Sequence, residues 1–269
     1  MKARSILYFS SALLLAGASF WLSGFNTASP RTHSKLVWSD EFDYKGLPDS
    51  SKWTYDVGGH GWGNNEMQYY TAGRLENARV ENGKLIIEAR KENWEGKEYT
   101  SARLVTKGKG DWQYGRIEVR AKLPKGLGTW PAIWMLGSDT AYKWPDDGEI
   151  DIMEHVGYNQ GMIYGSVHTQ KYHHVINTQK TDSVRVADCS EKFHVYGVDW
   201  TADSVHISVD FKNYFSFGNE QSGKEAWPFD SKMHLLLNIA VGGDWGGARG
   251  LDEKAFPALM EVDYVRIYQ

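Results

Sequence analysis

The run Tyr114–Leu123, YGRIEVRAKL, alternates apolar and charged residues without a break. Ile117, Val119, Ala121 and Leu123 fall on one side, and Arg116, Glu118, Arg120 and Lys122 on the other. Alternation with period two marks a strand that lays one face on a core. Similar runs recur as KLIIEAR (84–90), MIYGSVHT (162–169), FHVYGVDW (193–200), SVHISVD (204–210), HLLLNIAVGG (234–243) and EVDYVRIY (261–268), separated by Gly, Asn and Asp turns. Long helical periodicity is absent; LDEKAF (251–256) is the one candidate for a helical turn. Many short strands in one uninterrupted block predict an all-β sandwich or barrel over residues 35–269. One cysteine, Cys189, rules out an internal disulfide framework. The hydrophobic core alone must therefore hold the domain, and its length suffices for that.

Lys2 and Arg4 precede an uncharged run, Ile6–Phe25, with Ala16-Gly17-Ala18 near a cleavage point. Residues 1–29 are read as a secretory signal peptide and lead-in, with a retained membrane anchor as the alternative. No Cys follows the apolar run, which argues against an acylated lipoprotein. The net charge of -4 argues against nucleic acid as a partner. Twelve Trp and fifteen Tyr exceed the needs of a core. About half the Trp are assigned to packing, and the rest point to a ligand with flat apolar faces, such as sugar rings.

The segment Pro145–Gly157, PDDGEIDIMEHVG, sets three acids among apolar residues. In a regular strand Glu149 and Asp151 would share a face while Glu154 pointed the other way. A solvated edge strand is the plain alternative, but Ile150, Ile152, Met153 and Val156 need burial and like charges on one face cost stability. Functional sites often break local rules in this way. A β-bulge at Ile152 or Met153 would restore the phase and bring Glu149, Asp151 and Glu154 to one surface. Two carboxyls about 5–5.5 Å apart across a sugar suit double displacement with retention, and the close pair is expected here.

LVWSDEF (36–42), GWGNNEMQYYT (61–71), YGRIEVRAKLP (114–124), GTWPAIWMLG (128–137), GEIDIMEHVG (148–157), GSVHT (165–169), FHVYGVDWT (193–201), LLLNIAVGGDWGG (235–247) and EVDYVRIYQ (261–269) occur in this order. In these blocks the chain resembles glycoside hydrolase family 16, in its laminarinase-like branch. The resemblance implies a β-jelly-roll sandwich of two antiparallel sheets with a concave substrate cleft. It implies a secreted, monomeric retaining endo-β-1,3-glucanase whose partner is a β-glucan polysaccharide, with no protein partner. Glu149 would be the nucleophile, Glu154 the acid/base, and Asp151 the residue that orients the pair. Ionised Glu149 and Asp151 are expected to raise the pKa of Glu154. Trp130 and Trp134 resemble sugar-stacking residues, with a core position as the alternative for Trp134. Asn65, Glu66 and Arg103 would bind hydroxyls, His168 would sit beside the nucleophile, and Trp245 would line the donor side. A turn or a strand surface would also explain Asn65, Glu66 and Arg103, and a satisfied core histidine would explain His168. No cofactor is required for the chemistry. The family often carries a structural Ca²⁺, here on Glu41, Gly83 and Asp263. His173 and His174 are read as surface histidines, because no third ligand stands at metal-site spacing. A mixed-linkage glucanase, another glycanase of the family, a transglycosylase and a non-catalytic glycan-binding protein are the competing readings.

Overall fold

Strand propensity and turn chemistry together build eighteen strands among the described residues, 35–139 and 141–269 of the computed structural model. In chain order they are β1 (Leu36–Asp40), β2 (Thr54–Asp56), β3 (Gln68–Tyr70), β4 (Ala78–Glu81), β5 (Lys84–Trp94), β6 (Lys97–Ser101), β7 (Arg103–Val105), β8 (Asp111–Trp112) and β9 (Gly115–Lys122). There follow β10 (Thr129–Gly137), β11 (Glu149–Glu154), β12 (Met162–His168), β13 (Lys180–Arg185), β14 (His194–Trp200), β15 (Ser204–Val209), β16 (Lys212–Gly218), β17 (Met233–Val241) and β18 (Ala258–Tyr268). The expected leader, residues 1–29, lies outside the described residues.

The strands form two sheets. One runs β16-β15-β14-β9-β18-β5-β6-β3, with β1 on β18 and β4 on β5; the other runs β13-β12-β11-β10-β17-β7-β2, with β8 on β17. Pairing is antiparallel except between β3 and β6, which run parallel. This is the all-β jelly-roll sandwich expected from the alternating runs. Each such run became a strand, and LDEKAF holds a 3-10 turn, Glu253–Ala255, capped by the Asp252 side chain. Two further 3-10 turns, Gly157–Asn159 and His174–Ile176, carry no apolar periodicity and left no trace in the pattern.

The core lies between the sheets. β9 sends Ile117, Val119 and Ala121 into it, as the alternation predicts. Its charged face is less open than that pattern implies. Arg116 and Glu118 are both buried, because Arg116 bonds Glu118 at 2.5 Å and also pairs with Asp199 on the neighbouring β14. Every residue of β17 is buried, since this strand lies inside its sheet with the core on one face and the floor of the cleft on the other.

Candidate active site

β10 places the aromatic wall. Trp130, Ala132, Trp134 and Leu136 line an open cleft of about 340 Å³, while Ile133 and Met135 between them enter the core. β11 lies beside it and carries the acids. Against β12, Asp151 pairs with Ser166 and Glu154 with Tyr164, so three steps on one strand face two on the other. Against β10 the register shifts at the same place, between Met153 and Asp151. This is the β-bulge the sequence called for. Ile152 and Met153 both go to the core, fully buried, and Glu149, Asp151 and Glu154 all open on the cleft. Deleting Met153 should turn Glu154 away from the cleft and remove activity. The same deletion takes out a core side chain, at a cost of about 2–5 kcal/mol. Circular dichroism with an assay on laminarin checks this; a folded and active deletion variant would sink the bulge argument.

Glu149 and Glu154 each have their own indole donor. Trp130 Nε1 donates to Glu154 Oε1 at 2.9 Å, and Trp144 Nε1 donates to Glu149 Oε2 at 2.8 Å. His168 Nε2 stands 3.3 Å from Asp151 Oδ2 and 4.0 Å from Glu149 Oε1. His168 thus stands beside both Glu149 and Asp151.

Burial, and then the charge of Asp151, push Glu154 well above the ordinary glutamate range. The Trp130 N–H pulls it back down, and Glu149 adds to the rise. A raised pKa is what a carboxyl needs to act as a general acid. As expected, the charge of Asp151 is among the causes that raise Glu154. Burial first, then the charge of Glu149 and a hydrogen bond to it, raise Asp151 well above its own usual range as well. Asp151 is 2% exposed, so its charged form has almost no water to stabilise it.

Trp130→Phe removes a donor that favours ionised Glu154. The alkaline limb of the rate profile should move to higher pH, with lower kcat/KM overall; an unmoved limb would show that this hydrogen bond does not tune the acid.

Other expected residues fall as follows. Trp134 is on the cleft rather than in the core, and its Nε1 donates to Asn238 Oδ1 at 2.8 Å. Arg103 lines the cleft between the rings of Trp62 and Trp134, 4.6 Å from each, and pairs with Asp56 at 2.9 Å. Glu66 lines it too, held by Gln68 at 2.5 Å and Tyr70 at 3.2 Å, and burial raises its pKa. Asn65 does not reach the cleft. Its side chain turns out to Asp244 at 2.9 Å, and the neighbouring Asn64 takes the cleft position. Trp245 meets the cleft only through Trp130, edge-on at 5.5 Å, and packs on Tyr164 at 5.1 Å. The glycines of GGDWGG permit this: a Cβ on Gly246 would come within 2.8 Å of Trp130.

Sequence reasoning missed Trp62, Trp144, Tyr142, His174 and Val175, which also line the cleft. WPDDGEIDIME holds Trp144 five residues before Glu149, a signal that could have been used. His173 is half-buried and His174 exposed, as expected of surface histidines, and both rings lie against Trp144, at 5.5 and 5.1 Å.

Glu41, Gly83 and Asp263 gather on the other sheet. Asp40 pairs with Val265 and Leu85 with Val262, which brings all three to one stretch of β18. Placement fits a hard-oxygen site, but the side-chain donor is engaged: Asp263 accepts from Arg120 Nη1 at 2.6 Å. The Glu41 carboxylate pairs with Arg266 at 2.8 Å and leaves only its carbonyl to offer.

A jelly-roll sheet floored with indoles, with two donor-held glutamates facing one groove, defines a β-sandwich glycoside hydrolase. The chain belongs to glycosyl hydrolases family 16, whose family model matches residues 64–266. A β-glucanase of Rhodothermus marinus is 54% identical over 277 aligned positions, covering 100% of this chain and 97% of that protein. A glucan endo-1,3-β-glucosidase of Cryptopygus antarcticus is 38% identical over 86% of this chain and 90% of its own length. The X-ray structure of the Rhodothermus marinus laminarinase superposes with a TM-score of 0.87 at 57% identity, covering 88% of this chain and 98% of that one.

Proposed function

We propose that the protein is a secreted endo-β-1,3-glucanase that cleaves laminarin-type glucan with retention. The observation that carries this is the bulge in β11, which sets Glu149 and Glu154 on one cleft wall with separate indole donors. Glu149 attacks the anomeric carbon while Glu154 gives its proton to the leaving oxygen. The glycosyl-enzyme neutralises Glu149, the pKa of Glu154 falls, and Glu154 then takes a proton from the incoming water. Asp151 lies beside Glu149 and orients it. Trp130, Trp134 and Trp62 offer indole faces to glucosyl rings, and Arg103, Glu66 and Asn64 offer polar groups to hydroxyls.

Mixed-linkage β-1,3-1,4-glucan is the alternative substrate. A non-specific endo-β-1,3(4)-glucanase of the same family is 53% identical over 88% of this chain, with a TM-score of 0.85. A β-1,3-glucan-binding protein of Penaeus monodon is 27% identical over 87% of this chain; the intact carboxylate triad supports catalysis here instead. Incubation with laminarin, barley glucan and agarose, with products sized over time, separates these readings. Early release of mixed short oligosaccharides from laminarin is expected. Binding without cleavage would favour the glycan-binding reading.

Secretion would follow from residues 1–29 acting as a leader; among the described residues no helix is long and apolar enough to cross a membrane. The same proposal includes a monomeric protein and a structural Ca²⁺ held by the Glu41 and Gly83 carbonyls and the Asp263 side chain, which would exchange Arg120 for the ion. Calcium should then raise the melting temperature and EDTA lower it; identical melts would remove the site.

A further inference from the structure

We propose that Glu149, Asp151 and His168 form a binding site for a borderline divalent transition metal of the Zn²⁺ type, filled in competition with the sugar. Among the described residues these three side chains each send a ligand atom into one space, all within 4.8 Å of one another. His168 Nε2 lies 3.3 Å from Asp151 Oδ2 and 4.0 Å from Glu149 Oε1. Two ligands held about 2.0–2.1 Å from a tetrahedral ion lie about 3.3–3.4 Å apart. The His168–Asp151 edge already has that spacing. The Glu149 edge closes with a small carboxylate rotation.

A second observation points into the same space. Asp151 is 2% exposed, yet its Oδ2 has no hydrogen-bond partner; His168 approaches it without hydrogen-bond geometry. An unpaired carboxylate oxygen is costly to bury, and a cation between these atoms would satisfy it. Glu149 is already oriented for the role. Its Oε2 accepts the Trp144 N–H, and Oε1 is the atom that joins the cluster.

The donor set selects the ion. One imidazole with two carboxylates suits Zn²⁺ and its neighbours. Ca²⁺ and Mg²⁺ need about six or more oxygens, which this cluster does not supply. Three protein ligands leave a fourth position for water. A metal on Glu149 Oε1 occupies the atom that would attack the anomeric carbon, so hydrolysis stops until the metal leaves. This last consequence rests on the glucanase reading, whereas the binding itself does not.

The test is calorimetric titration of EDTA-treated, dialysed protein with zinc chloride. One tight equivalent is expected, weakened at least about tenfold in His168→Gln. His194, between Asp188 and Asp210 at 3.1 and 2.7 Å, is the competing surface site; His194→Gln should keep the tight equivalent. A folded His168→Gln that binds as the parent does, or a parent that takes up no Zn²⁺ at ~1 mM, overturns the proposal. Should His168→Gln not fold, diffraction at the zinc edge on the parent decides. A peak among the three side chains supports the site, and a peak only at His194 or none at all refutes it. Zn²⁺ should also inhibit laminarin hydrolysis reversibly, with EDTA restoring the rate. A protein that binds Zn²⁺ but cuts no glucan would remove the glucanase reading and leave the metal site standing. One that cuts laminarin and ignores Zn²⁺ would do the reverse.

Discussion

Glu149→Gln should lower kcat on laminarin by at least about 10⁴-fold, since an amide in place of the proposed nucleophile cannot form the glycosyl-enzyme. The fold should stand, because Gln fills the same volume and can still accept from Trp144 Nε1, now at 2.8 Å. Glucan binding should also persist, as the indole surfaces and hydroxyl-binding groups of the cleft are untouched. The charge of Glu149 is one of the causes that raise Asp151, so the pKa of Asp151 should fall when that charge is gone. Single-turnover kinetics alongside glucan affinity check the assignment. Full activity in a folded variant would overturn the nucleophile role, and loss of both binding and fold would show that Glu149 is structural.

Glu154→Gln has the second large effect. General acid help is worth about 10²–10⁴-fold, so laminarin hydrolysis should fall by that amount. An aryl glycoside with a good leaving group needs little protonation, and its first step should be nearly spared. Equal losses on both substrates would argue against the acid role. The same substitution should stabilise the protein, and the sign can be worked out. The folded pKa of Glu154 is raised, so folding is penalised once the pH exceeds the unfolded value near 4.5. The penalty grows as pH rises towards the folded pKa and is constant above it. Glu154→Gln should therefore melt higher than the parent at neutral pH, with the gap vanishing in acid. A variant that melts lower at every pH would show that Glu154 contributes more to the fold than its burial costs. Stability withheld at a working residue is common in active sites.

Much of this protein could be read from order along the chain. Alternation in YGRIEVRAKL and its counterparts determined the strands, because side chains on a strand must alternate between core and surface. The misfit of Glu154 determined the bulge: Ile150, Ile152 and Met153 all need burial, and one extra residue is the local way to give it to them while keeping three acids together. Other features depend on residues far apart in sequence. Arg116 is buried because Asp199 on β14 reaches it, which alternation on β9 could not indicate. Asn64 takes the cleft while Asn65 faces Asp244, 179 positions away, and the two are equivalent in GWGNNEMQ. The pKa of Asp151 is raised because neighbouring strands exclude water from it. Desolvation is a property of packing, and no short stretch of sequence carries it. What the sequence determined by itself was which residues form strands and which acids share a face. Only the tertiary structure decided which donors hold those acids, how dry they are, and that His168 meets Glu149 and Asp151 with atoms left over.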